Sequence, residues 1–74
     1  MSIEVLQRFG VRKRYITTLK REGFTTVERL DEWLKERNYD HFYLILLGLG
    51  AKGSWEVWNG FKKLKKTQTI PAGV

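Results

Sequence analysis

Seventy-four residues are enough for one hydrophobic core, and at this size much of the surface stays exposed, so a single domain is expected. A hydrophobic fraction of 42%, with three tryptophans, three tyrosines and four phenylalanines, is too rich for a disordered chain. The absence of cysteine excludes a disulfide framework, a thiolate metal ligand and a cysteine nucleophile, and the net charge of +6 favours a polyanionic partner.

The charge is unevenly spread. Residues 1–24 carry six basic and two acidic side chains, residues 25–47 three and five, and residues 48–74 five and one. The basic excess therefore sits at both ends of the chain and forms one face only if the fold brings those ends together.

Ile3, Val5, Leu6 and Phe9 predict a short helical turn from Ser2 to Phe9, ending at Gly10. From Arg12 to Glu22, Tyr15, Ile16 and Leu19 recur at helical spacing, with Lys13, Lys20 and Arg21 outside them, so a basic amphipathic helix ending at Gly23 is expected. Thr25-Thr26-Val27-Glu28 has the form of a capping box, in which a threonine oxygen accepts an amide proton and the glutamate reaches back. It opens a second helix with Val27, Leu30 and Leu34 on one face and Glu28, Asp31, Glu32 and Lys35 on the other.

Asn38 or Asp40 is placed to cap the next element. The almost continuous apolar run from His41 to Leu47 predicts a short, deeply buried helix. The longest apolar run, Phe42 to Leu49, falls well short of the roughly 20 residues of a membrane span, and no signal-peptide pattern is present. A cytoplasmic, intracellular protein without a membrane partner is expected. A last helix is predicted from Ser54 to Lys66, where positions 54, 57, 61 and 64 describe a stripe. Gly60 within it costs about 1 kcal/mol relative to alanine, which marks close packing against a neighbour. The expectation is an all-α, compact four- to five-helix domain over residues 1–66 with a flexible tail over 67–74 that contains Pro71 and Gly73.

Between the last two predicted helices stands Gly48-Leu49-Gly50, followed by Lys52 and Gly53. Glycine permits positive φ and has no Cβ, so such a turn lets the amides of the following helix approach a phosphate oxygen. Leu49 would anchor the hairpin in the core, and Lys52 would add a charge where the helix dipole already favours an anion. The plainer alternative is a tight helix connection with a solvated Lys52. A mononucleotide phosphate loop is excluded, because neither its glycine-lysine spacing nor a preceding strand is present.

The segment LLGLGAKGSWEVWNGFKKL resembles the helix-hairpin-helix motif, whose apolar-Gly-apolar-Gly turn contacts the DNA backbone without regard to sequence. Upstream, FGVRKRYITTLKREGFTTVERL is similar to the first half of the C-terminal domain of the RNA polymerase alpha chain, and the two segments cover most of residues 9–65. The resemblance implies duplex DNA as partner, contacted at its backbone and minor groove, in transcription regulation, alongside RNA polymerase or a transcription factor. It implies Arg14 as the side chain entering the minor groove, with Thr17 where the family usually has asparagine. The family's lysine and serine after the hairpin glycine fall near Lys52 and Gly53-Ser54. The DNA-binding set expected is thus Arg14, Lys13, Thr17, Gly48, Gly50, Lys52, Gly53 and Ser54. A second resemblance is to sterile alpha motif domains, which share a related five-helix fold, end in a long helix after a Leu-Gly turn and mostly bind proteins. Tyr15, Leu19, Phe24 and the Lys62-Lys63-Leu64-Lys65-Lys66 end suit that reading.

Positive charge at a helix start is mildly unfavourable, so Arg12-Lys13-Arg14 suggests a use beyond stability. Trp55, Trp58 and Phe61 are expected in the core, with Trp55, nearest the hairpin, as the exception. The lysines 62, 63, 65 and 66 read as a solvated face. A single histidine, His41, assembles no metal site or triad, and Asp31 and Glu32, adjacent on a helix, point apart. No enzyme activity, metal or cofactor is expected.

Overall fold

In the computed structural model, which describes residues 1–67, the chain forms a 3-10 helix over Ile3–Phe9, α1 over Lys13–Arg21, α2 over Val27–Lys35, a second 3-10 helix over His41–Leu47, and α3 over Gly50–Thr67. The fold is all-helical; the only extended pairing among the described residues is a single bridge between Ser2 and Thr26. Thr67, the last described residue, is helical, its hydroxyl donating to the carbonyls of Lys63 and Leu64, so α3 runs past the expected boundary at Lys66. The remainder of the tail expected over 67–74 lies outside the described residues.

The N-terminal strandlike stub is tied to the start of α2 by backbone bonds from Ile3 to Thr25 and from Val27 to Met1, at 3.1 and 2.9 Å. α2 does begin at a threonine, but Thr26 rather than Thr25 provides the cap, accepting from the Arg29 amide at 3.2 Å. Glu28 does not reach back to close a capping box. Its carboxylate accepts from the Met1 ammonium at 2.8 Å, and that hydrogen bond holds its pKa below the usual carboxylate value. An external cation has replaced the local amide as the partner.

Three helices end the same way. After α1, the Phe24 amide bonds the Leu19 carbonyl and the Gly23 amide that of Lys20, with Gly23 at φ +94°. This is the Schellman arrangement, and the two residues it brings together, Leu19 and Phe24, are both buried. The bonds Val11 to Leu6 and Gly10 to Gln7 repeat it after the first 3-10 helix, as do Tyr39 to Leu34 and Asn38 to Lys35 after α2, with Asn38 in the left-handed region. Each termination folds the next residue back over the core.

α3 packs against both 3-10 helices, and the first of these also packs against α1. Val57, Phe61 and Leu64 of α3 meet Ile3, Leu6, Ile16, Leu19, Leu30, Leu34 and Leu44, all fully or almost fully buried. The stripe at 54, 57, 61 and 64 is the buried one, and Asp40 is the residue that caps the second 3-10 helix, accepting from the Phe42 amide at 3.0 Å.

The deeply buried helix expected over His41–Leu47 is corrected by the structure. Only Leu44 is buried, whereas Phe42 is 66% and Leu46 73% exposed, and Tyr43 and Ile45 also face solvent. A 3-10 helix has three residues per turn, so 41, 44 and 47 form the ridge facing the core while 42/45 and 43/46 form two ridges facing out. An uninterrupted apolar run cannot bury more than one of them here.

Gly60 marks close packing: a Cβ there would lie 2.5 Å from Val11 Cγ2 and 3.4 Å from the Phe9 carbonyl oxygen. Val11 is buried and β-branched, so it cannot swing away. Gly60→Ala is expected to lower stability by about 1 kcal/mol, since overpacking of about 1–3 kcal/mol exceeds the helix-propensity gain. Urea unfolding should show the loss, and Val11→Ala should relieve it; an unchanged midpoint in the Gly60→Ala protein would refute the contact.

Candidate nucleic-acid interface

The glycine hairpin is shorter than its sequence suggests. Gly48, at φ +83°, ends the second 3-10 helix, Leu49 is buried as an anchor, and α3 begins at Gly50 rather than at Ser54. Gly50 has φ +72°, a conformation that an L side chain would strain. Gly50, Ala51 and Lys52 therefore form the first turn of α3, whose amides have no acceptor within the helix and point outward with the positive end of the dipole. Lys52 is exposed in that turn.

Two of the expected site residues have other employment. Ser54 is 2% exposed and its hydroxyl donates to the Gly50 carbonyl at 2.6 Å, so it faces inward as the clasp of the first turn. Gly53 is buried within the helix. A Cβ on it would lie 2.6 Å from Tyr15 Cε1, so the glycine is required by the Tyr15 ring. Residues 50–52 are exposed in this turn, whereas Gly53 and Ser54 are buried.

Tyr15 is what joins the two halves of the expected surface. Its ring, 5% exposed, covers Gly53 of α3, and its hydroxyl accepts a hydrogen bond from Arg14 Nη2 at 2.9 Å. The Arg14 guanidinium also lies 4.8 Å from the centre of that ring. Arg14, itself exposed, is thus held beside the start of α3 by the residue that follows it. Lys13 and Thr17 share an exposed side of α1, with the Thr17 hydroxyl donating to the Lys13 carbonyl at 3.1 Å and keeping its lone pairs for an incoming donor.

The unfavourable charge at the start of α1 is answered from across the fold. Arg12 precedes α1 without a side-chain cap, and Glu56 of α3 accepts from its amide at 3.2 Å and lies 3.5 Å from its Nε. A carboxylate at a helix N-terminus is favourable, and this one also offsets Arg12. The cationic cluster is thereby reduced to Lys13 and Arg14, which form no ion pair among the described residues.

The terminal lysines do not act as one face. Lys65 pairs with Asp31 at 3.5 Å and lies over the Tyr39 ring at 4.3 Å, and Lys62 lies 5.9 Å from the centre of Trp58. Lys63, with Lys52, lines a separate groove of about 290 Å³ beside Trp55. Acidic side chains gather elsewhere: Glu22, Glu32 and Glu36 line a shallow depression with Phe24, Trp33 and Arg29. His41 sits among Phe42, Trp55 and Trp58, and no cluster of potential metal ligands occurs among the described residues.

Sequence reasoning missed Tyr15 and Glu56. The available signal was a glycine at 53, one position before a buried serine, which asked for a large neighbour. No protein-family model, curated protein or solved structure matches the chain. The functional reading therefore stands on the surface just described.

The arrangement predicts different outcomes for two substitutions. Tyr15→Phe keeps the ring over Gly53 and removes only the bond to Arg14, so stability should change by no more than about 1 kcal/mol. Gly53→Ala displaces the ring and should destabilise more than Tyr15→Phe. Thermal melts of both proteins test this, and equal effects would show that the ring does not rest on Gly53.

Proposed function

We propose that this domain is a non-catalytic DNA-binding module that grips duplex DNA mainly through its phosphates. The observation that carries the reading is the Tyr15 bridge, which holds Arg14 next to the cation-lined, amide-presenting start of α3. Exposed amides and the dipole of a helix N-terminus suit a phosphate oxygen, and Lys52 adds a full charge in the same turn. Arg14 is the minor-groove side chain, supported by Lys13 and Thr17, while Gly48 and Gly50 let the backbone turn close to the strand. The order of five helical segments, with a glycine turn leading into the longest, favours a helix-hairpin-helix unit in a sterile-alpha-motif-like architecture similar to the polymerase alpha C-terminal domain. A single module with few phosphate contacts binds weakly, which fits an accessory role in transcription beside RNA polymerase or a transcription factor, in the cytoplasm or nucleoid.

A second reading, capture of a protein partner, is favoured by one observation: the outward ridges of Phe42, Tyr43, Ile45 and Leu46. Contiguous exposed apolar side chains of this kind mark interaction surfaces.

Arg14→Ala and Lys52→Ala should each weaken duplex binding about tenfold without unfolding the domain. The three cations Lys13, Arg14 and Lys52 set against the duplex should give a slope of about −3 for log affinity against log salt. Titration of labelled duplex into the protein, followed by amide chemical shifts, reads both affinity and site. Shifts at residues 12–17 and 48–52 support DNA binding. A silent titration, with concentration-dependent shifts confined to residues 42–46, would reject it in favour of the protein partner.

A further inference from the structure

The exposed side of α3 carries a feature of which duplex binding uses only Lys52. Lys52, Trp55, Glu56, Asn59 and Lys63 recur every three or four residues, and with Phe9 and Gly10 they line the groove of about 290 Å³. Positions 52 to 63 span ~16 Å along the helix at 1.5 Å per residue. Within that length a lysine stands at each end, an indole lies between, and an asparagine amide offers both a donor and an acceptor.

Trp55 is 54% exposed, unusual for so large an apolar side chain. Its ring is nevertheless oriented. His41 meets it edge-on at 5.5 Å and 65°, and His41 also stacks with Phe42 at 4.6 Å and with Trp58 at 5.8 Å. Interlocked rings thus brace the indole from one side and leave the rest of it open. The one acid in the groove, Glu56, is held by the amide and Nε of Arg12, which offsets its charge. Lys52 and Lys63 take part in none of the ion pairs among the described residues.

We propose that this groove is a site for an unpaired base of single-stranded nucleic acid, the base stacking on Trp55 and the flanking phosphates meeting Lys52 and Lys63. An aromatic face bordered by cations is the general solution for holding a single strand without regard to sequence. A duplex does not satisfy it, because its base faces are covered by their neighbours. The groove lies at the lower edge of the roughly 300–1,000 Å³ of pockets for drug-sized ligands, which matches one base better than a large ligand. The inference rests on the nucleic-acid reading and adds a second class of substrate, a free strand lying along α3.

The test compares fluorescent oligothymidylate with a blunt duplex, using the full chain and its Trp55→Ala, Trp55→Phe and Lys63→Gln variants. Trp55→Ala should weaken oligothymidylate about tenfold and leave duplex affinity within about twofold, with Trp55→Phe restoring most of the loss. Lys63→Gln should weaken oligothymidylate and reduce its salt dependence. Ultraviolet crosslinking of oligothymidylate to the unmodified protein should attach to the peptide containing Trp55, which tests the site without any substitution. Oligothymidylate binding unchanged in Trp55→Ala, or lost equally with duplex binding, would overturn the proposal while leaving the duplex reading in place. Failure of the unmodified protein to bind either nucleic acid would overturn both. Binding to vesicles of anionic phospholipid, lost in Trp55→Ala and unaccompanied by oligothymidylate binding, would assign the groove to a membrane surface instead.

Discussion

The contact between the Tyr15 ring and Gly53 brings the start of α1 against the start of α3, and the expected surface depends on that approach. A side chain at position 53 would occupy the space of the ring, and the same holds at Gly60 with Val11. Two glycines one short stretch apart on α3 thus let the N-terminal half of the chain lie directly against the last helix. The helix accepts a propensity penalty of about 1 kcal/mol at each, and the packing they allow offsets it. Because α1 lies so close, Glu56 can serve as its remote cap and Arg14 can reach the same surface as Lys52.

That proximity also resolves the split of basic residues between the chain ends. Charges far apart in sequence become one surface only when the elements bearing them touch, and Tyr15 provides the touch. The pairing of Arg12 with Glu56 and of Lys65 with Asp31 then removes two cations from general service. Of the cations left without an ion pair among the described residues, Lys13, Arg14 and Lys52 belong to the first surface and Lys52 and Lys63 to the groove, with Lys52 common to both. Glu22, Glu32 and Glu36 line a different depression, while Glu28 and Asp31 are paired with the Met1 ammonium and Lys65.

Much of the fold was legible because its signals are local. The three-and-four spacing of Tyr15, Ile16 and Leu19, and of Val27, Leu30 and Leu34, depends only on helix geometry, and those residues are buried. Gly10 and Gly23 end their helices for reasons of backbone sterics alone, whereas Asn38, read as a cap for the next element, instead ends α2. Sequence and structure part where a residue has two possible partners. Glu28 could have reached its own helix start and instead meets the Met1 ammonium; Ser54 could have faced a phosphate and instead turns to the Gly50 carbonyl. The run from His41 to Leu47 departs from expectation for a related reason. Hydrophobicity states what a side chain prefers, whereas the number of ridges a 3-10 helix can turn to the core is set by the neighbouring elements.

The sequence by itself determined the all-helical class, the ends of the first two helical segments at Gly10 and Gly23, the stripe that α3 buries and the need for tight packing at Gly60. These depend on periodicity, capping and the lack of a Cβ, all of which act over a few residues. Only the tertiary structure decided that Arg14 stands beside the glycine hairpin, that Arg12 is answered by Glu56, and that Trp55 lines a groove while Phe42 and Leu46 face solvent. Arg12 and Glu56 are 44 positions apart, and no local pattern encodes a partner at that separation.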